Sequence, residues 1–244
     1  FGFGRKSGID LAGAVGGLLP TPEWKQRRFK QPWYMGETVI VGIGQGYTLA
    51  TPMQLAQATA ILANRGVAMR PHLVSAITNA KSGISEATQA IISDKILLDE
   101  NNSEIVRLGM VDVTLPGGTA ASVGANAGYS IAAKTGTAQV VGIKQNEKYN
   151  ANLIDERHRD HALFIAYAPA EDPKIALAVI VENGGHGGSA AGPIARKVMD
   201  YYLLGKLPVV ELAQASEQIT KPNGIIGGNP ADPIVNAPED EHYD

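Results

Sequence analysis

Two short apolar runs with a five-residue turn between them constrain this chain more than any other feature. His161–Ala168 reads His-Ala-Leu-Phe-Ile-Ala-Tyr-Ala, and Lys174–Glu182 is almost wholly apolar after its lysine. Pro169-Ala170-Glu171-Asp172-Pro173 separates them. Each run is strand-sized. So short a connection joins antiparallel strands, because a parallel crossover needs about a dozen residues. The spacing predicts a hairpin central enough to be buried on both faces.

The flanks extend this core. Ser130–Val140, rich in small and β-branched residues after Gly128, predicts a third strand. Asn183–Gly192 is a Gly-rich loop leading into a helix at Pro193–Leu204, with Ile194, Val198 and Tyr201 on one face and Gly205 as its stop. Upstream, Thr51-Pro52 opens a helix: Thr51 can cap it, and Pro52 loses no useful N–H there. Leu55, Thr59 and Leu62 share one face among several alanines, and Gly66 is placed at the C′ position. Val67–Ile77 reads as extended, with a break at Pro71, while 78–100 is ambiguous. A second helix is expected from Asn102 or Ser103 to about Val113, its apolar face formed by Ile105, Val106, Met110 and Val113. Residues 1–48 read as irregular chain laid over a core, with one short extended piece at Thr38–Gly42. Gly142–Asp160 is a polar excursion. The expectation is an α+β fold, an antiparallel sheet flanked by helices, over residues 1–205, followed by a Pro-rich, acidic and disordered tail at 206–244.

Composition narrows the chemistry. Across 244 residues, 21 Lys and Arg against 24 Asp and Glu give a net charge of −3, without the basic excess that a duplex nucleic-acid binder uses against phosphate. With no cysteine, thiol nucleophiles, disulfides and Cys-ligated metals are excluded. No apolar run approaches the ~18–20 residues needed to cross a bilayer. The chain begins with Phe1, so it is expected to start within a longer protein, any anchor lying upstream.

Lys134-Thr135-Gly136-Thr137 is the leading candidate site. A lysine inside an otherwise uncharged strand is unusual, since lysine is rarely buried unpaired. Alternation puts Lys134 and Gly136 on one face and Thr135 and Thr137 on the other. Gly136 lets a ligand lie flat along the backbone. An edge strand with free N–H groups, a cation and two hydroxyls suits a peptide carboxylate and a developing oxyanion. The competing reading is an ordinary exposed strand lysine.

Other groups carry weaker signals. Gly42-Ile43-Gly44-Gln45-Gly46 lacks both the preceding long strand and the last glycine of a dinucleotide loop. His158 and His161 with Asp155, Glu156 and Asp160 are metal-ligating types, but their order is not His-Glu-x-x-His, and carboxylates near a loop are usually solvated. His186 either lines the cleft or lies on the surface. Trp24, Trp33 and Tyr34 form either a partner patch or internal packing. Lys6-Ser7-Gly8 mimics Lys-Thr-Gly but sits in the Gly-rich opening, where it reads as a decoy.

Lys-Thr-Gly is one of three signatures of the active-site serine penicillin-recognising enzymes, beside Ser-x-x-Lys and Ser-x-Asn. The wider sequence resembles the transpeptidase domain of class B penicillin-binding proteins. The likeness runs through Gly36-Glu37-Thr38, Val41-Gly42-Ile43-Gly44-Gln45-Gly46-Tyr47 and Ala50-Thr51-Pro52-Met53-Gln54-Leu55-Ala56. It continues through Gly117-Gly118-Thr119-Ala120, Ala132–Gln139, the hairpin, Asn183-Gly184-Gly185 and the last helix, covering roughly residues 1–205. Trp24–Lys30, Pro32-Trp33-Tyr34 and Tyr149-Asn150-Ala151 point toward the elongation-specific members. Neither Ser-x-x-Lys nor Ser-x-Asn occurs in the chain; in the family both precede the helix at Pro52.

The resemblance implies a serine β-lactamase/D,D-transpeptidase-like fold, of which this is the C-terminal portion. It implies a periplasmic domain on an inner-membrane anchor, without a cofactor or metal. Its expected ligands are peptidoglycan stems ending in D-Ala-D-Ala and β-lactam antibiotics, and its expected partner is a membrane glycosyltransferase of the elongation machinery. By the same resemblance, Lys134 supplies positive potential, and Thr135 and Thr137 hydroxyls meet the ligand carboxylate. Gly136 leaves room, and the Thr137 backbone N–H supplies half of an oxyanion hole. The nucleophilic serine and its lysine base lie outside the chain, so the fragment alone is expected to be inactive. A D,D-carboxypeptidase or β-lactamase on the same fold, and a non-catalytic relative, remain as rivals.

Overall fold

A computed structural model describes residues 1–141 and 154–207. The sequence expectations for most of the polar excursion (142–153, including Tyr149-Asn150-Ala151) and for the tail from 208 lie outside the described residues.

The three predicted strands form one antiparallel sheet in the order β5 (Ala132–Ala138), β6 (His161–Ala168), β7 (Ile175–Val181). Lys134 pairs with Ile165, Gly136 with Leu163 and Thr137 with Ala162. The hairpin register runs from Ala162 opposite Val181 to Ala168 opposite Ile175. β6 is central, as its apolar run requires. β7 is not buried on both faces: it is an outer strand of this sheet, and Ile180 is 40% exposed.

One face packs on the closing helix α6 (Ala191–Leu204). Ala133, Ala162, Phe164, Ala166 and Ala168 meet Ala191, Ala195 and Met199 there. The expected stripe of Ile194, Val198 and Tyr201 is half-exposed instead. The helix turns Ala191 and Ala195 to the sheet along its first turns and the fully buried Met199 further along. Its close approach is to the short helix α5 (Ala121–Gly124): a methyl group at Gly192 would stand 2.7 Å from Val123 Cγ2. Gly205 ends α6 with a left-handed φ of 67°, as its position predicted.

The other face carries α3 (Pro52–Ala63), against β6 and β7, and α4 (Glu100–Asp112), against β5. Thr51 caps α3 by accepting Gln54 N–H, and Gln54 returns the bond to Thr51 N–H. The cap at the far end is shifted from expectation. Asn64 is the C-cap, Arg65 takes C′ with φ 51°, and Gly66 lies one residue further on. Gly66 N–H reaches Ile61 O and Arg65 N–H reaches Leu62 O, a Schellman closure. α4 begins earlier than expected because Asp99 caps it by accepting Asn102 N–H. Of its apolar face only Met110 is buried, in a small cluster with Ala132, Tyr167 and Ala170; Ile105 is 67% exposed. Between α3 and α4, the ambiguous stretch forms two small antiparallel pairs. β1 (Val67–Met69) joins β4 (Ile92–Lys95), and β2 (Ala76–Thr78) joins β3 (Ser85–Ala87).

The N-terminal 48 residues are more regular than predicted. α1 spans Pro22–Phe29, and α2 spans Met35–Gly42 where an extended piece was expected. Thr38, Val39, Ile40 and Val41 favour strand on intrinsic grounds, but one tertiary group overrides them. Glu37 accepts the Tyr34 N–H at 2.7 Å and the ammonium of buried Lys25 at 2.5 Å, which fixes the first turn of α2 against α1. Trp24, Phe29 and Tyr47 stack together, Trp33 donates to Thr38 Oγ1, and the Lys25 ammonium lies over the Tyr34 ring. Trp24 and Trp33 are half-buried in these contacts, whereas Tyr34 is 55% exposed. Residues before α1 remain irregular and are tied to α3 by Gln54, whose amide donates to Gly2, Arg5 and Gly16 carbonyls.

Candidate active site

The first two residues of β5 are buried alanines, and the strand rises to the surface at Lys134. Lys134 is exposed, and its ammonium curls onto Thr135 O at 2.7 Å. Thr137 O accepts the Gln45 side-chain amide, also at 2.7 Å. In an antiparallel ladder a residue's N–H and C=O point the same way, toward the partner strand or away from it. Since the Thr135 and Thr137 carbonyls take bonds away from β6, the two N–H groups also face outward. Lys134, Thr135 and Thr137 thus lie along a strand edge on which no other described strand pairs, and Gly136 lies between them.

The edge is supported from the α6 face. The loop before α6 lies directly on β5 and β6. A methyl group at Gly187 would stand 2.0 Å from Leu163 O and 2.8 Å from Gly136 O, and one at Gly188 would stand 2.5 Å from Thr119 O. Thr119 sits beside β5 as well, its hydroxyl 3.3 Å from that of Thr135. His186, next to Gly187, is exposed, and its carbonyl accepts Ala190 N–H and the Ser189 hydroxyl.

Charged groups anchor the strand's approach. Arg196 of α6 donates to the carbonyls of Val123, Ala125 and Asn126, and its Nε donates to Asp200. Tyr129 donates its hydroxyl to the same carboxylate at 2.7 Å. Partial burial would raise the Asp200 pKa, but the Tyr129 and Arg196 hydrogen bonds outweigh it and hold the carboxyl below the usual range. Burial and then Asp200 push the Tyr129 phenol up. At the start of β5, Ser130 accepts Ala170 N–H and donates to Glu171, lowering the Glu171 pKa together with Arg107. Ser130 is therefore a structural tie.

The remaining sequence candidates lie apart. Ser7 Oγ accepts Ile9 N–H within its own turn. His161 Nδ1 accepts Asn183 N–H. Among the described residues no group of three or more His, Asp or Glu side chains is placed to hold a metal ion. Sequence reasoning missed Gln45 and Thr119 as neighbours of the edge. A lone carboxamide between two glycines was the available signal for Gln45; for Thr119 only its place in Gly117-Gly118-Thr119-Ala120 was visible.

A cationic strand edge with two hydroxyls and outward N–H groups is chemically able to take an extended ligand that carries a carboxylate. The chain belongs to the penicillin-binding protein transpeptidase domain family, whose model matches residues 1–200. It is 45% identical over 237 residues to the peptidoglycan D,D-transpeptidase MrdA of Haemophilus influenzae, covering 90% of this chain and 35% of that protein. Among solved structures it is similar to PBP2 of Pseudomonas aeruginosa in complex with WCK 5153, with 43% identity and a TM-score of 0.68 over 87% of this chain and 44% of that one. It is also similar to PBP2 of Helicobacter pylori in complex with MreC, with 32% identity and a TM-score of 0.65 over 84% of this chain and 34% of that one. The chain spans about a third of the length of the curated relatives it matches.

Proposed function

We propose that this chain is the C-terminal part of a peptidoglycan D,D-transpeptidase, and that β5 is the wall against which the acyl donor lies. The observation that carries the reading is the outward pair of N–H groups at Thr135 and Thr137 beside the Lys134 ammonium, in a chain of the transpeptidase family. A serine outside residues 1–244 attacks the carbonyl between the two terminal D-alanines of a stem peptide. The C–N bond breaks, the last D-alanine leaves with the proton, and an ester to the serine remains. An amine of a second stem then attacks the ester, forming the cross-link and returning the proton to the serine oxygen. Thr137 N–H donates to the oxyanion of each tetrahedral intermediate. Thr135 and Thr137 hydroxyls hold the terminal carboxylate, Lys134 supplies the positive field, and Gly136 lets the backbone approach. β-Lactam antibiotics enter as carboxylate-bearing acyl donors that stop at the ester.

The whole protein is placed in the periplasm on an inner-membrane anchor outside this chain; among the described residues no helix is long and apolar enough to cross a membrane. A membrane glycosyltransferase of the elongation machinery is its proposed partner, and the MreC complex of the Helicobacter pylori relative supports a place in such an assembly. The test is incubation of the whole protein with stem peptides ending in D-Ala-D-Ala and an amine acceptor. Cross-linked dimer is expected. Release of D-alanine without dimer would make it a carboxypeptidase, and neither product with no penicillin adduct would make it a non-catalytic relative.

A further inference from the structure

We infer that Gln45 is a specificity-determining residue of this site: its carboxamide bonds the outward carbonyl of Thr137, and an acyl donor with its own peptide N–H at that point competes with it. The inference rests on the reading of β5 as the acyl donor's edge.

The contact spans 92 residues of sequence. Gln45 is half-buried at the tip of a tight reversal after α2. Its N–H returns to Ile40 O at 3.1 Å, and Gly44 N–H returns to Val41 O at 2.9 Å. Gly44 and Gly46 hold φ of 76° and 73°, values that leave glycine the natural residue on either side. A methyl group at Gly46 would also stand 2.9 Å from Ile40 Cγ2. The next residue, Tyr47, is fixed between Trp24 and Phe29. The loop is thus anchored on both sides and aims one polar side chain at β5.

What that side chain does there is what a substrate strand would do. A chain adding to a strand edge gives an N–H to each outward carbonyl and takes each outward N–H. Of the two outward carbonyls, Thr135 O is held by Lys134 and Thr137 O by Gln45. A carboxamide donor and a peptide donor are the same chemistry, so each can replace the other. A ligand with an N–H beside its reactive carbonyl exchanges one bond for another and gains little. A ligand without that N–H leaves Gln45 in place. Gln45 therefore narrows the advantage of amide-bearing acyl donors over those lacking the amide.

The experiment measures second-order acylation rate constants of the whole protein, wild type against Gln45→Ala and Gln45→Met, with two probes. Benzylpenicillin carries an acylamido N–H beside the ring, and penicillanic acid sulfone carries none. Removing a competing neutral hydrogen bond should speed benzylpenicillin by about three- to tenfold in both variants, and leave the sulfone within about twofold. Gln45→Met keeps the length of the side chain, so agreement between the variants separates the lost donor from a lost shape. Equal changes for both probes, or slower benzylpenicillin, would overturn the role of Gln45 while leaving the acyl-transfer reading intact. A wild type unreactive toward both probes would overturn that reading and this one with it.

Discussion

Replacing Gly187 by alanine should damage the site from behind. The added methyl would lie 2.0 Å from Leu163 O, 2.8 Å from Gly136 O and 3.0 Å from Gly136 N, where ordinary contact starts at 3.4 Å. All three atoms belong to the paired backbone of β5 and β6, so no side chain can swing aside. Relief requires the loop to rise by more than an ångström. That would pull on the first turn of α6, whose Ala191 and Gly192 N–H groups both bond to Gly187 O. Overpacking typically costs about 1–3 kcal/mol, and a clash with backbone belongs at the upper end. At roughly 2–4 °C per kcal/mol for a unit of this size, about 3 kcal/mol is a fall of about 6–12 °C in melting temperature. Differential scanning fluorimetry of the whole protein reads the fall, and fluorescent-penicillin labelling below the transition reads the loss of site geometry. A variant that melts within a degree of wild type and labels at the wild-type rate would refute the packing of this loop on the strand.

Three further outcomes follow from individual residues. Gly109 lies exposed inside α4 with nothing within 4 Å of a would-be methyl, so Gly109→Ala should stabilise by about 0.5–1 kcal/mol in thermal or urea unfolding. Asp200 has a folded-state pKa below its unfolded value, so its stabilisation is present above about pH 4 and is lost as pH falls through the folded pKa. The melting gap between wild type and Asp200→Asn should accordingly be widest near neutrality and close on acidification; a gap that widens below pH 4 would contradict the network. Lys134→Ala should lower penicillin acylation by about 10²- to 10³-fold with an unchanged melting temperature, since the side chain is exposed and its proposed role is electrostatic.

The sheet was legible because its strands carry their own punctuation: Pro169 and Pro173 bound the turn, and Gly128 precedes β5. The cap at Thr51 and the stop at Gly205 were legible for the same local reason. Elements decided by distant partners were not. α2 is a helix in spite of four consecutive β-branched residues because Glu37 meets Lys25, twelve positions upstream and on another helix. The buried face of α6 is Ala191, Ala195 and Met199, whereas periodicity alone favours Ile194 and Val198, because the neighbours that select the face lie far off in sequence. Lys134, Thr135, Gly136 and Thr137 were legible as a charged interruption of an apolar strand. Gln45 was not, because nothing local says that a turn after α2 returns to β5.

The central claim is that this strand edge serves a serine supplied from outside residues 1–244. Mass-spectrometric mapping of the whole protein after incubation with benzylpenicillin tests it most directly. The account predicts one stoichiometric adduct, on a serine outside this chain, that is strongly reduced by Lys134→Ala. An adduct on Ser130, Ser189 or any other serine within residues 1–244 would contradict it.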